Sequence, residues 1–173
     1  MYENFTDSEE DSSKGNDIII GGLARLYQEY KDIEINFVEK GSDWEKAKAL
    51  CEKVGISPVV KWHKEMPLSE LFCLYEKSDI CFDQVGTHWV SAIGAYALLL
   101  GKPLIANTEK LTVSGFWSEE NPVLHVKNEI AVYNALKYLI EGGINKALSS
   151  ESRSFAYKYF SPCSLLNEIF DFQ

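Results

Sequence analysis

Lys14-Gly15-Asn16-Asp17 sets a lysine directly ahead of a segment with helical periodicity. A compact ammonium beside the unpaired amides of a helix start is a natural anion receptor, suited to a phosphate-bearing ligand. A second stretch with chemical content is 84–91, where Gln84, Gly86, Thr87, His88, Trp89 and Ser91 precede another apolar helix. The polar loop from His63 to Met66 is a third. Other signals are negative. There is no Gly-x-Gly-x-x-Gly, no Walker loop and no Gly-x-Ser-x-Gly elbow. His63, His88 and His125 are not spaced as metal ligands, so no metal is expected. The run Glu45–Lys48 fits a solvated helix face.

These segments need elements to hold them in place. Asn16 is read as the N-cap of a helix from Asp17 to Tyr30, with Ile18, Ile19, Gly22, Leu23, Leu26 and Tyr27 on its inner face. Gly21-Gly22 costs that helix about 1 kcal/mol per glycine, which close packing on a sheet would explain. Ser42-Asp43-Trp44-Glu45 reads as a capping box opening a helix that runs to Val54 and ends at Gly55. Further helices are expected over Pro67–Lys77, over Trp89–Leu100 up to Gly101, and from Asn128 as cap through Glu129–Glu141 to Gly142-Gly143. Residues 145–172 read as two helices divided at Ser161-Pro162. Between these lie five short apolar strands, 33–39, 58–62, 79–83, 103–106 and 123–126. Alternating strands and helices predict an α/β fold, a Rossmann-like parallel sheet with helices on both faces. Ligands then bind beyond the carboxyl ends of the strands, in loops 40–43, 63–67, 84–91, 107–115 and 127–128.

Composition bounds the partners. The chain has 173 residues and a formal net charge of −9. Residues 1–13 hold five acids and no base, leaving −4 for the remainder. This segment reads as an acidic tail, and 14–173 as one domain. The acidic balance argues against nucleic acid and anionic membranes, which need clustered Lys and Arg. No apolar run approaches the roughly 18–20 residues of a membrane span, Ala92–Leu100 being the longest. The polar, acidic N-terminus does not read as a signal or transit peptide. Cys51, Cys73, Cys81 and Cys163 lie far apart in apolar contexts and read as buried reduced thiols, so a cytoplasmic location is expected.

Taken in order, three segments carry a family resemblance. They are Lys14-Gly15 before the first helix; Val60-Lys61-Trp62 followed by Glu70-Leu71, Leu74-Tyr75 and Ser78-Asp79-Ile80; and Tyr96-Ala97 through Gly101-Lys102-Pro103-Leu104-Ile105. The string resembles the donor-binding C-terminal domain of GT-B glycosyltransferases of the group 1, family 4-like type, over roughly 14–171. The resemblance implies one half of a GT-B fold, a nucleotide sugar as donor substrate and no further cofactor. It also implies hexosyl transfer to a glycan or lipid-linked acceptor, as in polysaccharide biosynthesis, commonly with retention of anomeric configuration.

By the same resemblance, Lys14 and Gly15 would hold the diphosphate, and the loop from His63 to Met66 would hold the base. The loop containing Thr87 would bind phosphate. The family's Glu-x7-Glu pair falls on His88 and Tyr96, and a family glycine falls on Ser91, so both carboxylates are absent here. Tyr and His only partly replace a carboxylate as acceptor for sugar and ribose hydroxyls. Either His88, Ser91 and Tyr96 handle the donor by polar contacts, or the site is degenerate. Asp83-Gln84 and Trp89 match subfamilies with a "D-Q-x-x-G-W-Y-G" loop, which usually keep the second glutamate.

GT-B enzymes have a second Rossmann-like domain, and the strand before Lys-Gly is not evident in 1–13. The expectation is therefore an excised or shortened C-terminal half, inactive alone and completed by an N-terminal domain or a partner chain. Apolar residues among Phe155, Tyr159, Phe160, Leu165, Leu166, Ile169 and Phe170 would leave a patch favouring a homo-oligomer. The alternative is a catalytically inactive GT-B-like partner module. A third reading, half of a sugar-nucleotide epimerase, calls for a more polar 84–91 loop.

Overall fold

Glycine, not asparagine, starts the first helix. In the computed structural model, which describes residues 14–86 and 90–161, α1 (Asn16–Glu29) is entered from Gly15 at φ 72°. Asn16 is already inside the helix, so the expected Asn16 cap is corrected to Gly15. The chain continues through β1 (Ile35–Val38), α2 (Trp44–Lys53), β2 (Val60–His63), α3 (Leu68–Lys77), β3 (Cys81–Phe82), α4 (Ala92–Leu99) and β4 (Leu104–Ala106). It then forms α5 (Glu109–Val113), β5 (Leu124–His125), α6 (Glu129–Tyr138), a wide turn over Leu139–Gly143, and α7 (Lys146–Phe160). All five expected strands are present and each is shorter than expected. Helix α4 starts at Ala92, later than the expected Trp89, because Ser91 caps it.

The strands pair in parallel. β1 lies against β2 with Ile35 opposite Val60 and Val38 opposite His63. β4 lies between β3 and β5, with Phe82 opposite Ile105 and Ala106 opposite His125. Among the described residues these are two ladders, not one continuous sheet. The strand sought ahead of Lys14 falls on 1–13, outside the described residues.

Strand β4 shows why both faces are covered. Its three residues are fully buried, and they alternate: Ile105 joins one core, Leu104 and Ala106 the other. The first core unites Ile19, Ile20, Leu23 and Leu26 of α1 with Leu50 of α2, Ile35 of β1 and Val132 and Leu136 of α6. It spans both ladders. The second joins Leu98 of α4, Leu111 of α5 and Phe155 and Ala156 of α7 around Trp117. The fold is thus the expected Rossmann-like α/β layer with helices on both faces.

The Gly21-Gly22 pair has a different partner from the expected sheet. A Cβ on Gly22 would lie 2.3 Å from Val132 Cγ1, so the pair lets α1 sit tightly on α6. At the far end of that interface the Lys137 ammonium bonds Glu29 Oε2 at 2.8 Å, with Tyr133 on the other oxygen. Lys137 first, then Tyr133, hold the Glu29 carboxyl below its ordinary range.

Three local expectations are corrected. Helix α2 is capped at Asp43 with no side-chain bond, so the Ser42–Glu45 box does not form. Cys73 is exposed, while Cys51 and Cys81 are buried as expected; Cys163 lies outside the described residues. Phe155, expected on an exposed patch, is buried, and Tyr159 and Phe160 are half-buried beside it against Trp117. The patch residues from Leu165 onward lie outside the described residues.

Candidate functional site at the carboxyl edge of the strands

The entry to α1 and the loop after β3 cross at close range. The carbonyl of Lys14 accepts hydrogen bonds from Val85 N at 3.0 Å and Gly86 N at 3.3 Å. Gly15 is buried there, and a Cβ on it would stand 2.3 Å from Gly86 N. Only a residue without Cβ fits that contact and that positive φ together. The crossing carries the exposed Lys14 side chain to the start of α1, whose first turn also buries Asp17 and, among the described residues, has no side-chain cap. The exposed lysine and the helix start adjoin at this crossing.

The loop after β3 is pinned from two sides. Buried Asn107, just past β4, donates from Nδ2 to the Val85 carbonyl at 3.2 Å and from its backbone N to the Gln84 carbonyl at 2.9 Å. Its Oδ1 accepts from Glu109 N at 3.1 Å, which starts α5. Next in the chain, Thr108 N donates to His125 Nδ1 at 3.1 Å, at the end of β5. An amide can only donate, so Nδ1 is the bare nitrogen of that ring and Nε2 carries the hydrogen. A continuous set of hydrogen bonds therefore runs along the carboxyl edge from Lys14 to His125.

On the α4 side, Asp83 Oδ2 accepts from Ser91 N at 2.6 Å and Oδ1 accepts from Ser91 Oγ at 2.8 Å. Ser91 Oγ in turn accepts from Ile93 N at 3.2 Å, capping α4. Thr87 and His88 lie outside the described residues, as does Trp89.

The remaining predicted residues are dispersed. His63 ends β2, half-buried, with Nε2 2.7 Å from Asn36 Oδ1 on β1. Met66 is half-buried in the loop before α3. Tyr96 lies inside α4, its ring edge-on to Phe72 of α3 at 5.1 Å between centroids. Sequence reasoning missed Asn107, Thr108 and the pairing of Asp83 with Ser91. It had placed the loop after β4 on the correct edge without naming its residues.

An open groove of about 380 Å³ lies elsewhere, between α1, the end of α2 and the start of α6. It is lined by none of the predicted residues, and the exposed ion pair Arg25–Glu129 forms part of its wall. Among the described residues no cluster of His, Cys, Asp and Glu could hold a metal, and no helix is long and apolar enough to cross a membrane.

Fold and site together define a Rossmann-like domain with a lysine and a helix start converging on the carboxyl edge of a parallel sheet. No family profile and no curated protein matches the sequence. Solved structures do. The catalytic domain of cholesterol-alpha-glucosyltransferase from Helicobacter pylori superimposes with a TM-score of 0.69 at 18% identity, covering 92% of this chain and 96% of that one. HepE from Anabaena, solved with UDP and glucose, gives 0.70 at 16% identity over 96% of this chain. MnaA from S. aureus, solved with UDP, gives 0.58 at 20% identity over 92%. The chain spans 46% of the HepE chain and 41% of the MnaA chain. The fold is that of the GT-B half expected from the sequence.

Proposed function

We propose that this chain is the nucleotide-sugar-binding domain of a glycosyltransferase that moves a hexosyl group to a glycan or lipid-linked acceptor. The observation that carries the reading is the crossing of Gly15 and Gly86, which sets Lys14 and the start of α1 beside the carboxyl end of β3. The UDP with which HepE and MnaA were solved supports the choice of ligand. In this reading the domain supplies no acid or base. It positions the donor and stabilises the leaving diphosphate through the Lys14 ammonium and helix amides. By the family resemblance, the loop from His63 to Met66 serves the base, the loop containing Thr87 serves the phosphate, and His88, Ser91 and Tyr96 stand at the positions that handle sugar and ribose hydroxyls. Catalysis requires a second domain or partner chain to close the cleft, and the isolated chain is inactive. The working compartment is the cytoplasm.

Amide NMR of the chain titrated with UDP tests this. Shifts at Lys14, Gly15 and Gly86 at millimolar ligand are expected; their absence sinks the proposal.

A second reading, a binding module that has lost catalysis, is favoured by Tyr96, whose ring packs on Phe72 where the family has a carboxylate. Introducing His88→Glu with Tyr96→Glu separates the two. A gain in UDP-glucose affinity supports an adapted donor site, and no gain supports the inactive module.

A further inference from the structure

We propose that Asn107 is a positioning residue of the nucleotide site, an inference that rests on the reading above. It follows β4 directly and is 2% exposed, so it meets no ligand itself. Its side-chain amide is used at both ends: Nδ2 donates to the Val85 carbonyl at 3.2 Å, and Oδ1 accepts from Glu109 N at 3.1 Å. Its backbone N donates to the Gln84 carbonyl at 2.9 Å. Val85 is thereby gripped from two directions, its carbonyl by Asn107 and its amide by the Lys14 carbonyl at 3.0 Å. Gly86, next in the chain, donates to the same Lys14 carbonyl and is the backbone against which Gly15 is set. The place where the loop after β3 meets Lys14 is thus fixed from the end of a fully buried strand, β4.

The chemistry of that grip selects asparagine. The group facing Val85 must donate and the group facing Glu109 N must accept, and one amide offers both. A carboxylate only accepts, and it would turn a negative charge onto the Val85 carbonyl oxygen. Protonated, the same carboxyl has an O–H and can donate again. Leucine has the same branched shape and neither polar group. Either loss leaves a buried carbonyl bare, a cost the loop relieves by moving.

Calorimetric titration of the whole chain with UDP tests the inference. Asn107→Asp is expected to bind UDP about tenfold more weakly than the native chain at pH 9, and within about twofold of it at pH 5, where the carboxyl is protonated. Asn107→Leu is expected to stay about tenfold weaker at both. Each variant is read against the native chain in the same buffer, which cancels the titration of UDP and of Lys14, Asp83, Glu109 and His125 on the same rim. Leu136→Ala, which opens a cavity in the first core, is expected to lose stability and keep the native affinity. Native affinity in Asn107→Leu, no recovery of Asn107→Asp at low pH, or an equal loss in Leu136→Ala overturns the inference while leaving the nucleotide site standing. If neither Asn107 variant folds, NMR of the native chain decides. An Asn107 side-chain amide signal that shifts with that of Gly86 as UDP is added supports the inference, and one that stays while Gly86 shifts overturns it. A native chain that binds no UDP overturns the functional reading itself.

Discussion

A methyl group on Gly15 would stand 2.3 Å from the backbone nitrogen of Gly86, closer than any two such atoms approach, so the entry to α1 and the loop after β3 meet backbone to backbone. Gly15→Ala meets this clash and the positive φ of 72° together. The expected loss is at least about 2 kcal/mol in urea denaturation, together with loss of UDP binding. Gly55→Ala is the control. It shares a positive φ but its Cβ would meet nothing within 4 Å, so the expected cost is about 1 kcal/mol.

Lys14 is exposed and its contribution is electrostatic. Lys14→Met is expected to weaken UDP binding roughly tenfold without moving the urea midpoint, and Lys14→Arg to recover part of it. A midpoint that falls with the affinity would show that Lys14 acts through folding instead.

The cysteines divide by burial. Burial pushes the Cys51 and Cys81 thiols up to about 11, whereas Cys73 is exposed. At pH 8 only about one in a thousand of the buried pair would be thiolate. Mass spectrometry after brief alkylation is expected to find Cys73 modified in the native protein, with Cys51 and Cys81 protected until denaturant is added. Both buried thiols have folded values above the unfolded value near 9.0, so their linkage to stability has a definite sign. The contribution is complete below pH about 9 and declines as the pH rises toward 11.

Trp117 anchors the second core, edge-on to Phe155 at 4.8 Å, and its Nε1 has no hydrogen-bond partner among the described residues. Trp117→Ala is expected to cost about 3–5 kcal/mol. Trp117→Phe is expected to cost much less, because it gives back an unsatisfied buried N–H while keeping a ring. Equal losses from the two substitutions would contradict this account of Nε1.

Much of this was legible because the signals are local. Asn128 was read as a cap and does accept from Ala131 N at 2.9 Å. Strand 58–62 announced itself by an apolar run and its partner 33–39 by alternation, and they pair within two residues of those bounds. Where local signals compete, the reading slipped by a residue: Gly15 displaced Asn16, and Asp43 displaced Ser42. Helix α5 escaped because five residues, two of them β-branched, show no period. Lys14-Gly15 was legible at the site because a cation and a helix start adjoin in the chain. Asn107 and Val85 are 22 residues apart, and Thr108 and His125 are 17 apart. Contacts set by parallel strand order leave no mark on the segments that make them.

The hydrogen bonds running from the Lys14 carbonyl through Val85 and Asn107, and on through Thr108 to His125, tie the entry to α1 to the last described strand. Elements far apart in the chain are in this way yoked at one edge. The entry to α1 and the ends of β3, β4 and β5 thus share one hydrogen-bonded rim, to which, among the described residues, the loops after β1 and β2 do not belong.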